Sequence, residues 1–168
     1  MVVPDVLAFV SLEFIGGALQ IGVISLGLGL LASLVLVPFL LNGRLRSLFA
    51  TVGPTDHWMG NYPIVMTIVG GGEIALFALT VELIAIEYAN PATVEQLILS
   101  ASVALLLGCI LVLSLLPLVV FPRLGIDWDK NGYDARTVGL VCGAVLWYHA
   151  GTIFLSPYTF DWIPSPLL

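Results

Sequence analysis

The stretch LILSASVALLLGCILVLSLLPLVVF, residues 97–121, carries no charged side chain over its whole length. At 1.5 Å per residue it is long enough to cross the roughly 30 Å hydrocarbon layer of a bilayer as one helix. Outward from it, the polar residues are clumped and leave three further long apolar stretches, so helices are expected over residues 6–41, 63–88, 94–121 and 135–156. The 168-residue chain is 60% hydrophobic and 10% charged, with a mean hydropathy of +1.10. Soluble domains have about 25% charged residues. The sequence therefore reads as an all-α integral membrane protein, a single transmembrane domain over residues 1–168 built as a four-transmembrane-helix bundle. Residues 157–168, with three prolines and the aromatics Tyr158, Phe160 and Trp162, read as a tail lying at the membrane interface.

The first segment, 6–41, exceeds the length that crosses upright. It must tilt or change direction, and Pro38 or the Asn42-Gly43 pair is where that is expected. It lacks a basic leader and a small-residue cleavage pattern, so it is expected to be retained as a helix. Cys109 and Cys142 both fall in apolar runs and read as small hydrophobes.

Net charge is −6 and Lys130 is the single lysine, which disfavours nucleic acid as a partner. The five cations fall in two loops: Arg44 and Arg46 between the first two helices, and Arg123, Lys130 and Arg136 around the connection of the last two. By the positive-inside rule both loops are cytoplasmic, which places both termini outside a cell membrane spanned four times. Trp58, Tyr62, Trp128, Tyr133, Tyr158 and Trp162 are expected at the interfaces.

The chain also contains a candidate duplication. A shift of 79 residues matches Gly29 with Gly108, Pro38 with Pro117 and Arg44-Leu45 with Arg123-Leu124, while a shift of 71 matches Asp56 with Asp127, Tyr62 with Tyr133 and Gly72 with Gly143. Two repeated helical hairpins running in the same sense would produce that pattern.

Ionisable residues inside the spans are the candidate functional groups, because a charge at the bilayer centre costs about 2.5 to 3.5 kcal/mol even on the most lenient scale. Counted from the ends opposite the basic loops, Glu13, Glu82 and His149 fall at one depth, with Gln20 a layer deeper. The sequence thus predicts an outward-half polar cluster of Glu13, Gln20, Glu82 and His149. Glu13, Gly16, Gly17, Gln20 and Gly27 share a helical stripe that should face inward. Glu73 lies nine residues from Glu82, half a turn away, and is expected to stand apart from the cluster: helix 63–88 is central, or one of the two carboxylates meets a homo-oligomeric or membrane-protein partner, or the run Gly70–Gly72 breaks the helix and re-aims Glu73. Each carboxyl could alternatively be protonated and satisfied by a neighbouring carbonyl.

No nucleophile or metal-ligand motif accompanies these residues, although zinc accepts the chemistry of Glu13, Glu82, His149 and Cys142. The sequence specifies no cofactor. Three functions remain: movement of an ion or proton through the cluster, a non-catalytic assembly subunit of a larger membrane complex, and, ranked last, an intramembrane enzyme acting on a lipid or quinone.

Overall fold

A computed structural model describes residues 19–160 apart from 21, 89 and 131, and among these it contains only helices and loops. Four helices are long and apolar enough to cross a membrane: α1 (Gly22–Leu41), α3 (Trp58–Glu87), α4 (Pro91–Arg123) and α5 (Ala135–Phe160). A fifth, α2 (Gly43–Val52), links α1 to α3 at the end of the bundle that carries the cations, called here the basic end. The outer face of α4 exposes Leu99, Val103, Leu107, Leu111 and Leu115 at four-residue steps. A stripe of that kind suits lipid and not water, and the protein is a multi-pass membrane protein.

The interior forms where α1, α3 and α5 meet. From α1 come Ser25, Gly29, Ala32, Ser33 and Leu36, from α3 Tyr62, Met66, Gly70 and Gly71, and from α5 Val141, Ala144 and Tyr148. The closest approach is at Gly29, where an added Cβ would stand 2.3 Å from the Gly71 amide nitrogen. Only glycine allows these backbones to touch, the small-residue packing common between membrane helices. The inward stripe of α1 is therefore not the one containing Gln20 and Gly27, which are both exposed. Glu13, Gly16 and Gly17 lie outside the described residues.

Local chemistry fixes the helix ends. Asn42 accepts from the Arg44 amide, Asn90 from the Ala92 amide and Asp134 from the Thr137 amide, so three helices begin on a side-chain oxygen cap. At the far end of α4, Ile126 donates to the Phe121 carbonyl and Gly125 to the Pro122 carbonyl. Gly125 takes a positive φ of 78°, which completes a Schellman stop.

Two helices leave α geometry as they near the basic end, each at a proline. Leu34–Leu41 is overwound into a 3-10 turn around Pro38. In that register the Val35 carbonyl would accept from residue 38, which has no N–H. The Trp147 indole N–H takes its place at 2.8 Å. Leu116–Val120 is underwound into a π turn, with the Phe121 amide reaching five residues back to Leu116. The next bond in that register would run from residue 122, again a proline, to Pro117. There the Trp128 indole donates to the Pro117 carbonyl at 2.6 Å.

Several expectations change at this end. α3 begins at Trp58 instead of residue 63, because Pro63 is accommodated inside the second turn. Tyr62 and Trp128, expected at the interfaces, pack inside the protein. Tyr62 is buried and donates to the Ser33 carbonyl, and Trp128 is fully buried. Residues 157–160 continue α5, while 161–168 lie outside the described residues. The two prolines matched by the proposed duplication sit in opposite distortions, and among the described residues α2 has no helical counterpart after α4.

Candidate functional site

The polar centre of the bundle is a pair that sequence depth alone separates. His149 Nε2 on α5 lies 3.4 Å from Glu73 Oε1 on α3. The His149 side chain is 6% exposed and that of Glu73 21%. Both facing atoms are shielded from solvent, and they sit at ion-pair distance without the alignment of a hydrogen bond. Glu73, expected to stand apart from the cluster, is thus the carboxylate that meets His149.

Their register follows from the helix starts at the basic end. Glu73 is fifteen residues after Trp58, His149 fourteen after Ala135, and Cys109 fourteen before Arg123, so all three lie roughly 21 Å along their helices from that end. Starting the second helix at residue 63 shortens that distance for Glu73 and hides the match. The Cys109 thiol and the Tyr148 hydroxyl both interact with the Glu73 carboxylate. The same Tyr148 hydroxyl occupies the space beside Gly70, where a Cβ would come within 2.7 Å of it.

One hydrogen bond fixes the imidazole. His149 Nδ1 lies 2.8 Å from the Val145 carbonyl, one turn back, and a carbonyl can only accept, so Nδ1 carries a proton. Nε2 then has two complementary forms towards Glu73: a lone pair facing a protonated carboxyl, or an N–H facing a carboxylate. In both, one proton lies between the two residues.

The surroundings of the pair are asymmetric. Towards the basic end lies a partly open cavity of about 260 Å³ with no polar lining surface. Tyr148 forms part of its wall, and its hydroxyl lies near Glu73. Towards the other end, Thr152 Oγ1 donates to the His149 carbonyl at 2.9 Å. Of the other expected cluster members, Glu82 and Gln20 are exposed on the helix surface and Glu13 lies outside the described residues. Cys142 is half-buried, and among the described residues no three His, Cys, Asp or Glu side chains converge as metal ligands.

A second polar knot closes the basic end. Arg44 Nη1 bonds Asp134 Oδ1 at 2.8 Å and Asp129 Oδ2 at 3.2 Å, and it also reaches Thr137 Oγ1. Ser47 Oγ donates to the Trp128 carbonyl at 2.6 Å. The bond from Arg44 is the main reason the Asp134 carboxyl is held down at about 2, with the Thr137 amide adding to it. Reciprocally, the bond to Asp134 raises the Arg44 guanidinium. Fully buried Asn61 ties the neighbouring loop, donating to the Phe49 and Thr55 carbonyls at 2.9 and 2.6 Å while its Oδ1 accepts from the Thr55 amide at 2.8 Å. In the sequence Arg44 stands out only as a marker of orientation and as part of the candidate duplication. The Asp134 cap three residues before Thr137 was the one local signal available.

Residues 16–159 match the family described as a domain of unknown function (DUF8162), and the chain belongs to that family. No curated protein and no solved structure matches the chain.

Proposed function

We propose that this member of the DUF8162 family handles protons at the middle of the membrane, with Glu73 and His149 holding one exchangeable proton between them. The observation that carries this reading is the 3.4 Å approach of buried His149 and half-buried Glu73 from different helices near mid-span, with both facing atoms shielded from solvent. In membranes such groups mark ion and proton pathways by default. The pair is suited to the task because either residue can hold the proton while the other complements it, so moving the proton creates no isolated charge.

The asymmetry of the site supports exchange from the end opposite the cations. On the basic side the apolar cavity offers water no partners, whereas a buried water needs two to four. By the positive-inside rule the basic end faces the cytoplasm of a cell membrane, so the proton is exchanged from outside.

A proton-flux assay in liposomes tests this. Wild-type protein should dissipate an imposed pH gradient, Glu73→Gln and His149→Gln should abolish that flux, and Glu82→Gln should leave it intact. Absence of wild-type flux, or flux in folded Glu73→Gln protein equal to wild type, contradicts the proposal.

A second reading, an assembly subunit, is favoured by one observation. Glu82 is exposed on a membrane-spanning helix, and on the same bundle Gln20 and Gly27 face outward. A second copy or a membrane-protein partner covering Glu82 would relieve its exposure to lipid. Purification in mild detergent separates the two readings: a stoichiometric partner protected by Glu82 supports assembly, and a monodisperse monomer opposes it.

A further inference from the structure

We infer that the apolar cavity on the basic side of Tyr148 takes one hydrocarbon chain of an anionic phospholipid. Its wall is drawn from every described helix: Leu36 of α1, Phe49 of α2, Met66 and Val69 of α3, Leu116 of α4 and Val145 of α5. None of this surface offers a hydrogen bond, so the cavity suits hydrocarbon and not water or a polar solute.

Its position and direction identify the class of chain. The wall begins under α2, at the basic end of the bundle, and ends at Tyr148 near mid-span. A phospholipid chain in that leaflet runs the same way, from the interface towards the bilayer centre. The cavity is partly open and bounded by membrane-spanning helices, so a chain can enter from the surrounding lipid. Two segments that depart from α geometry border it, the 3-10 turn through Leu36 and the π turn through Leu116 and Pro117. π turns are frequent at functional sites, and here the turn widens α4 along the cavity wall.

Charge selects the headgroup. Arg44 is neutralised by Asp129 and Asp134, whereas Arg46, two residues on, is exposed with its guanidinium 5.7 Å from the centre of the Trp58 ring. Among the described residues no carboxylate pairs with Arg46. Trp58 starts α3 and Arg46 adjoins Leu45, which also lines the cavity. A cation and an indole at the basic end, where the cavity wall begins, match an anionic headgroup at the interface.

The test is lipid retention by the full chain, purified in mild detergent from membranes containing both anionic and zwitterionic phospholipids and taken through repeated detergent exchange. Mass spectrometry should find a stoichiometric anionic phospholipid on the wild type. Val69→Phe, which fills the cavity, should lose it, and Arg46→Gln should keep a phospholipid but lose the preference for anionic headgroups. Ala144→Val serves as a smaller filling variant if Val69→Phe fails to fold. Glu73→Gln should keep the lipid whatever its proton flux, which separates this outcome from that of the proton assay. No retained lipid on the wild type, a neutral isoprenoid in its place, or unchanged retention in a folded filling variant overturns the proposal.

Discussion

Trp147 donates its indole N–H across 2.8 Å to the Val35 carbonyl, the acceptor that Pro38 leaves unpaired in the overwound end of α1. Trp128 does the same for the Pro117 carbonyl in the underwound end of α4. Each proline thus breaks its helix without orphaning a backbone acceptor, because an indole on a neighbouring segment supplies the missing donor.

The two indoles should differ in weight. Trp128 is fully buried, so Trp128→Phe strands the Pro117 carbonyl and should destabilise the protein by about 1–3 kcal/mol. Trp147 is about half exposed, and Trp147→Phe should cost less, roughly 0.5–1.5 kcal/mol. Unfolding of both variants in mixed micelles measures the order, and equal or reversed losses contradict it.

Close contact between α1 and α3 depends on Gly29. Gly29→Ala places a methyl 2.3 Å from the Gly71 nitrogen and 2.7 Å from the Thr67 carbonyl, both backbone atoms that cannot rotate away. Overpacking of this kind typically costs 1–3 kcal/mol, so the helices should separate and the melting temperature fall. Gly27→Ala is the control, because nothing lies within 4 Å of the methyl it would add. A similar loss in both variants would show that the crossing is elsewhere.

The clamp at the basic end predicts an acid limit. The Asp134 carboxyl is depressed from 3.8 to about 2 in the folded protein, so its contribution is fully present above pH 3.8 and is lost as pH falls through about 2. Asp134→Asn keeps an oxygen to cap α5 but removes the charge facing Arg44, so the variant should show a shallower loss of stability across that window. Unfolding measured between pH 5 and pH 2 in low salt checks this, and an identical slope in the variant contradicts it.

The legible part of this protein was its architecture. Uncharged runs such as residues 97–121 define membrane helices by length alone, and the ends at Leu41 and Ala135 follow from an Asn-Gly pair and an aspartate cap. The amphipathic helix α2 was missed because ten residues in a basic loop resemble a connection unless Asn42 is read as its cap. The polar pair was missed for a related reason. Counted from residue 156, His149 lies seven residues inside the end opposite the cations, level with Glu82, but α5 continues to Phe160, which sets His149 eleven residues in, against fourteen for Glu73 from Glu87. Rotation misleads in the same way: Glu82 shares a stripe with Gly71 in the sequence, yet the structure buries Gly71 and exposes Glu82.

The most direct test of the central claim is difference infrared spectroscopy of the reconstituted protein during pH titration, read at the carboxyl stretch. The account predicts one buried carboxyl band that changes with pH, disappears in Glu73→Gln, shifts in His149→Gln and is unaffected by Glu82→Gln. A titrating band that survives Glu73→Gln, or one indifferent to His149→Gln, would contradict a proton held between these two residues.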